Sequence, residues 1–122
     1  KAIQAMLQLA EKVEQHGIKS LYLPVEDTEP VPSDLLRQGV DFILEENQNG
    51  HRVLVACGAG INRSSAFCIA VLKEIEEISL MDAFTEVKRK HPKAMPHKPV
   101  WDSLRKYYGE SIPHLDIMRF GI

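Results

Sequence analysis

The chain has 122 residues, 44% of them hydrophobic and 26% charged, with 15 basic against 17 acidic side chains and a formal net charge of -2. This length predicts one domain, and the balanced charge argues against a nucleic-acid-binding surface or a polybasic membrane anchor. Two cysteines without a Cys-x-x-Cys pair argue against a disulfide scaffold and a zinc ribbon, and the apolar runs are too short to span a membrane.

The first predicted element is a choice between helix and strand. Residues 2–15 are rich in Ala, Met, Leu, Gln, Glu and Lys, which favour a helix by intrinsic propensity. Within them, apolar residues alternate with period two, which favours a strand; these are Ile3, Ala5, Leu7 and Leu9. The residues alone leave both alternatives open.

A second strand and a helix follow Gly17. Residues 18–25 alternate in hydrophobicity and predict a strand, and Pro24 near its end indicates an edge or exit position. An acidic, proline-containing loop over residues 26–32 comes next. Residues 33–47 then predict a helix with apolar side chains on one face and with Ser33 or Asp34 as its N-cap.

A short apolar strand is predicted over residues 53–56, and its lack of polar positions indicates that both of its faces are covered. A glycine-containing loop follows, and then come predicted helices over residues 66–75, 80–90 and 100–108. The tail, residues 109–122, shows no clear pattern. Strands that alternate with helices predict an α/β fold with a mostly parallel central sheet flanked by helices.

The stretch between that apolar strand and the next helix carries the chemistry. It reads Cys-Gly-Ala-Gly-Ile-Asn-Arg-Ser and begins at Cys57. A loop that leads into a helix N-terminus aims unpaired N–H groups into one concavity that suits a tetrahedral dianion. Arg63 adds a planar fork of donors for two phosphate oxygens. The same positive field favours the thiolate of Cys57, which is then an activated nucleophile.

An alternative interpretation makes Cys57 a small buried core residue and Arg63 a surface cation, since cysteine is often buried and inert. The combination of buried strand, loop glycines, Arg six positions after Cys, Ser64 and an apolar helix favours a catalytic phosphate loop. The predicted phosphate-binding residues are Gly58, Ala59, Gly60, Ile61, Asn62 and Arg63.

At this point the chain resembles the cysteine-dependent protein tyrosine phosphatase superfamily, on its small dual-specificity branch, over residues 2–108. The resemblance rests on Cys-x5-Arg-Ser and on the later segment His-Pro-Lys-Ala-Met-Pro-His, residues 91–97. It implies that Cys57 is the nucleophile, Arg63 the phosphate ligand and Ser64 the hydroxyl that assists breakdown of a phosphocysteine. It also implies that the first segment is a strand and that the family's N-terminal strand and helix are missing.

The resemblance also supplies a general acid. In the segment Leu-Tyr-Leu-Pro-Val-Glu-Asp-Thr, Asp27 matches the family's acid, which protonates the leaving oxygen. From the residues alone, Asp27 is equally a solvated loop acid or a turn former. Glu26 and Glu29 are fallback candidates.

Two positions depart from the family pattern. Ala56 stands where a histidine normally precedes the nucleophile, which implies a higher Cys57 pKa or lower activity. His97 lies in the segment of residues 91–97, which resembles the family's closing loop, at a position that often has Asn. It is predicted to bond the phosphate loop, to face the substrate or to be solvated. The resemblance therefore keeps the nucleophile, arginine and acid but changes two supporting residues.

The sequence predicts metal-independent hydrolysis of a phosphomonoester, with phosphotyrosine, phosphoserine or phosphothreonine in proteins as substrate. We expect no cofactor, no metal, no nucleic-acid or membrane partner, and a cytoplasmic monomer that is one catalytic domain over residues 1–122. The alternatives are a phosphate-binding pseudophosphatase and a rhodanese-like or arsenate-reductase-like enzyme. Cys68 is predicted to be a packed core residue, or else a partner that traps oxidised Cys57 as a disulfide.

Overall fold

The computed structural model describes residues 3–10, 17–26, 29–56 and 62–120, with side chains described as far as residue 118. Three strands and five helices lie in these ranges. They are β1 (Ala5–Gln8), β2 (Lys19–Tyr22), α1 (Ser33–Gln48), β3 (Val53–Ala56), α2 (Arg63–Glu76), α3 (Leu80–Lys90), α4 (Lys98–Tyr108) and α5 (His114–Phe120).

The sheet has the strand order β2-β1-β3, and both pairings are parallel. Ala5 aligns with Lys19 of β2 and with Val53 of β3. Parallel strands need long crossover connections, and α1 lies in the connection that leads from β2 past the central strand β1 to β3. The predicted α/β fold with a mostly parallel sheet and flanking helices is confirmed.

The first segment forms a strand, as the resemblance implied and against its helix propensity. All four residues of β1 are buried, Gln8 included. Because β1 is the central strand, its backbone pairs on both sides and tertiary packing overrides the local preference. β2 lies at an edge, as Pro24 indicated, and main-chain bonds from Leu23 and Val25 to Gln8 and Leu9 continue its path beyond Tyr22.

The prediction that both faces of residues 53–56 are covered is wrong. β3 is partly exposed along its length, and Leu54 keeps 43% of its surface accessible. β3 pairs with β1 on one side, and among the described residues no strand pairs with its other side. A continuous apolar run therefore marks an edge strand here.

Helix α2 is the most deeply buried part of the core on the helix side. Ala66, Phe67, Ile69 and Ala70 are fully buried in it. Phe67 packs so closely on α1 that a Cβ atom built on Gly39 would lie 2.3 Å from its Cε1 atom, so this position requires glycine. The core residue Trp101 contacts Phe84 edge to face, with ring centroids 6.0 Å apart.

Three helix starts and the tail differ from the predictions. α2 begins at Arg63, before the predicted start at residue 66. Pro32, not Ser33 or Asp34, occupies the N-cap of α1, and no side chain caps this helix. α4 begins at Lys98, two residues before the predicted start. The tail contains α5, whose seven residues are too few to show a period. The fully buried Ile117 and the bond from Trp101 Nε1 to the Ile112 carbonyl (2.7 Å) attach the tail to the core.

A charged network joins α1, α2 and α4 away from the predicted loop. Arg37 donates two hydrogen bonds to Glu74 (2.9 and 3.0 Å), one to Asp41 (2.9 Å) and one to the Tyr107 hydroxyl (3.2 Å). Tyr108 donates its hydroxyl to Glu74. Burial raises the pKa of the Glu74 carboxyl, but the bonds from Arg37 and Tyr108 outweigh it and hold that pKa below its usual value. Burial and the bond to Glu74 raise the pKa of Tyr108.

A buried carboxylate, Glu46, connects α1 with two strands. Glu46, whose side chain is 1% exposed, accepts hydrogen bonds from Lys19 in β2 and from His51 just before β3, both at 2.8 Å. The bonds from His51 and then Lys19 hold the pKa of Glu46 below its usual value. In the described part of the chain, no helix is long and apolar enough to cross a bilayer.

Candidate active site

The predicted phosphate loop starts where β3 ends and finishes where α2 begins. Five of its residues lie outside the described residues; they are Cys57, Gly58, Ala59, Gly60 and Ile61. The described structure gives the two ends of the loop, Ala56 at the end of β3 and Asn62 before α2. The predicted strand and helix on either side of the loop are therefore present, and the roles of the five residues remain predictions.

Arg63 is the first residue of α2 and is half-buried. Its Nη1 atom donates a hydrogen bond to the main-chain carbonyl oxygen of Val25 at 3.0 Å. Val25 is 4% exposed, and its own N–H bonds to the Leu9 carbonyl oxygen (3.1 Å). The guanidinium is thus directed across the end of the sheet toward the segment that follows β2, which does not match the alternative of a surface cation.

Asn62 lies at the N-cap position of α2 but does not cap its own helix. An N-cap asparagine usually accepts a hydrogen bond from the second or third helical N–H. Here the Oδ1 atom accepts instead from the main-chain N–H of His97 at 2.6 Å, and the residue is 3% exposed. The side chain therefore joins the end of the predicted phosphate loop to the closing loop.

His97 contacts the phosphate loop through its backbone, while its imidazole is exposed. Any residue except proline provides such an N–H, so the contact does not depend on the histidine side chain. The residue that determines this contact is Asn62, which the sequence gave only as part of the predicted phosphate loop.

The closing loop has a second support. His114 of α5 donates from Nε2 to the Pro96 carbonyl oxygen at 2.8 Å, since a carbonyl oxygen can only accept. Sequence reasoning missed this contact because it found no helix in the tail.

The two serines after Arg63 are both buried. Ser65 donates its hydroxyl to the Asn62 carbonyl oxygen (2.7 Å) and so fixes the first turn of α2. Ser64 follows Arg63 directly, as the predicted role in phosphocysteine breakdown requires, and that role remains a prediction. Both serines also border a cavity of about 410 Å³ beside β3.

The predicted general acid, Asp27, lies outside the described residues. Residues 27 and 28 are both outside the described ranges; on either side of them, the fallback candidates Glu26 and Glu29 are exposed, and Val25 and Val31 are buried. Arg63 contacts the first of these valines. The described structure therefore connects the arginine of the phosphate loop with the segment that carries Asp27 in the sequence.

Cys68 and the basic end of α3 lie near the predicted site. Cys68 is half-buried, packs against the core and borders the cavities beside β3, which agrees in part with a packed core cysteine. Its pairing with Cys57 lies outside the described residues. At the end of α3, Arg89 and Lys90 are exposed, whereas Lys88 donates to the Ala94 carbonyl oxygen at 3.1 Å and so supports the closing loop.

Comparison with known proteins gives the class. The chain matches the sequence profile described as dual specificity phosphatase, catalytic domain, over residues 1–110. It is 30% identical to dual specificity protein phosphatase 5 of Homo sapiens over 115 residues, which is 91% of this chain and 30% of that protein. It is 37% identical to putative tyrosine phosphatase 123R of invertebrate iridescent virus 6 over 86 residues, 68% of this chain and 59% of that protein.

The fold agrees with solved structures. The crystal structure of human DUSP28 superposes with a TM-score of 0.79 at 27% identity, covering 88% of this chain and 78% of that one. The strand order, the helix after the phosphate loop and these matches define a phosphatase domain of the α/β type. The chain belongs to the dual specificity phosphatase catalytic domain family, a class of protein phosphatase hydrolases. It spans less than two thirds of the length of the curated relatives named above.

Proposed function

We propose that this chain hydrolyses phosphomonoesters without a metal ion, through a phosphocysteine intermediate on Cys57. The observation that carries the proposal is the contact between Arg63 Nη1 and the Val25 carbonyl oxygen, because it joins the predicted phosphate ligand to the segment of the predicted acid. Family membership over residues 1–110 supports the same assignment.

In the first step, the Cys57 thiolate attacks phosphorus, an S–P bond forms and the P–O bond to the leaving group breaks. Asp27 donates its proton to the leaving oxygen as that bond breaks. The guanidinium of Arg63 and the loop N–H groups bind the equatorial oxygens, where negative charge is concentrated in the transition state.

In the second step, water attacks the phosphocysteine. Asp27, now a carboxylate, takes a proton from that water, and inorganic phosphate is released. The S–P bond breaks and returns the electron pair to Cys57 as a thiolate, which the Ser64 hydroxyl stabilises by donating a hydrogen bond. The proposed substrates are phosphotyrosine, phosphoserine and phosphothreonine in proteins, and the proposed working form is a cytoplasmic monomer.

The test is hydrolysis of 4-nitrophenyl phosphate with EDTA present, for the parent, Cys57→Ser and Asp27→Asn. We expect no measurable turnover for Cys57→Ser and a loss of about 10²-fold for Asp27→Asn, the lower end of what a positioned acid supplies. Cys68→Ser is the matched control, since it makes the same chemical change in α2 outside the predicted loop, and it should retain parent activity.

Three results would contradict the proposal, and each points to a different conclusion. A parent that shows no turnover between pH 5 and pH 8 but binds a phosphopeptide would support the pseudophosphatase. Transfer of sulfur from thiosulfate would support the rhodanese-like alternative. Turnover that survives in Cys57→Ser would reject the phosphocysteine mechanism.

A further inference from the structure

Two contacts bracket the segment in which Asp27 lies. On the N-terminal side, Val25 is fixed by Arg63 at its carbonyl oxygen and by Leu9 at its N–H. On the C-terminal side, the N–H of Val31 donates to the Oγ atom of Ser103 in α4 at 2.8 Å. Both valines are buried, with exposures of 4% and 5%. Five residues, 26–30, lie between these two fixed points in the sequence.

The second contact depends on one hydroxyl. Val31 lies between Pro30 and Pro32, and proline has no main-chain N–H, so Val31 provides the one N–H group of these three residues. A buried N–H needs an acceptor. Ser103 supplies it, and its own hydroxyl donates to the Pro99 carbonyl oxygen at 2.9 Å. The hydroxyl is thus oriented by its own donation and presents a lone pair to Val31.

We propose that Ser103 is a positioning residue for proton donation, because it fixes the C-terminal end of the segment that carries Asp27. This inference rests on the proposed function, in which Asp27 is the general acid. Without the hydroxyl, the segment between Val25 and the start of α1 loses this fixed point. Asp27 is then within reach of the leaving oxygen for a smaller fraction of the time. The thiolate attack, which depends on Cys57 and Arg63, does not use this contact.

The experiment compares substrates that need the acid to different degrees. Phenyl phosphate has a poor leaving group and depends strongly on protonation, whereas 4-nitrophenyl phosphate has a good one. We expect Ser103→Ala to lower kcat/KM about 10-fold on phenyl phosphate and about twofold on 4-nitrophenyl phosphate, a part of the full contribution of a general acid. Ser103→Thr keeps the hydroxyl and should restore both rates.

Two controls separate positioning from general loss of structure. Thr85 in α3 donates its hydroxyl to the Met81 carbonyl oxygen at 2.8 Å, so Thr85→Val removes a comparable bond within a helix; the ratio of the two rates should stay unchanged. In an Asp27→Asn background, Ser103→Ala should add no further change in that ratio, because the proton donor is already absent. Ser103→Cys retains the shape and a weaker acceptor and gives a second variant should Ser103→Ala not fold.

The outcomes are distinct. Equal losses on both substrates for Ser103→Ala, or a further change of the ratio in the Asp27→Asn background, would overturn the positioning role while the proposed function stands. An Asp27→Asn variant with parent rates on phenyl phosphate, or a parent without turnover, would remove the proposed acid or the proposed activity, and the role of Ser103 with it.

Discussion

Arg37 and Arg63 lie on neighbouring helices and are bound in different ways. Arg37 contacts two carboxylates, and its charge is balanced within the fold by Glu74 and Asp41. The contact given above for Arg63 is to a carbonyl oxygen, which is neutral. The bidentate bond to Glu74 makes the Arg37 guanidinium part of a network between helices, whereas the bond to Val25 directs the Arg63 guanidinium toward the segment that precedes Asp27 in the sequence. The two arginines thus differ in where the fold directs their guanidinium groups: one lies between helices, and the other lies where the predicted phosphate loop ends in the sequence.

The largest effect is expected from Arg63→Lys. Lysine keeps the charge but loses the planar fork, so kcat/KM on 4-nitrophenyl phosphate should fall about 10²-fold, as when one charge-stabilising donor is removed. The bond to the Val25 carbonyl oxygen is weakened, and the free energy of unfolding, measured by urea denaturation, should fall by about 1 kcal/mol or less, the contribution of a typical hydrogen bond. A large loss of stability with kcat/KM retained would make Arg63 a structural arginine and would break the comparison.

The next effect is expected from the same substitution in the other arginine. Arg37→Lys loses the bidentate bond to Glu74 and the bond to Tyr107, and the free energy of unfolding should fall by about 1–2 kcal/mol. Because Arg37 lies outside the predicted site, kcat/KM per folded molecule should stay unchanged.

Arg89→Lys is the matched control for this stability measurement. Arg89 contacts Glu86 on the exposed face of α3, where solvent screens the ion pair, so its substitution should leave the free energy of unfolding nearly unchanged. A loss equal to that of Arg37→Lys would show that the three-helix network adds nothing beyond an exposed ion pair.

The smallest effect is expected from pH. The pKa of Glu74 is lower in the folded state than its ordinary value of 4.5, so its contribution to stability is fully present above pH 4.5 and is lost as pH falls through the folded pKa. The stability difference between the parent and Glu74→Gln, measured by urea denaturation at pH 7 and at pH 3.5, should therefore shrink at the lower pH. A difference that is constant or grows at pH 3.5 would contradict the assignment.

The fold was largely predictable because its helices and strands repeat simple periods. Burial was less predictable: β1 alternates in sequence yet is wholly buried, whereas the continuously apolar β3 exposes Leu54. The difference comes from position in the sheet, which depends on pairings between residues far apart in the chain. Local pattern does not record such pairings.

For the site, the sequence alone yields a prediction where the chemistry is contiguous. Residues 57–64 form one motif, and the start of α2 at Arg63 agrees with it. It was insufficient where contacts cross the chain. Ser103 and Val31 are 72 positions apart, and Asn62 and His97 are 35 apart. Serine and asparagine are common residues, and no spacing marks them as partners before the helices are packed together.

The central place of β1 has a consequence for how the protein folds. Ala5 must find Val53, 48 residues later, before the sheet has its third strand. Parallel pairing over such separations slows folding, because the chain loses entropy by closing a long loop before any stabilising contact forms. During synthesis, β1 therefore cannot pair with β3 until β3 has been made, and its apolar residues remain uncovered until then. In this interval the nascent chain is most exposed to aggregation.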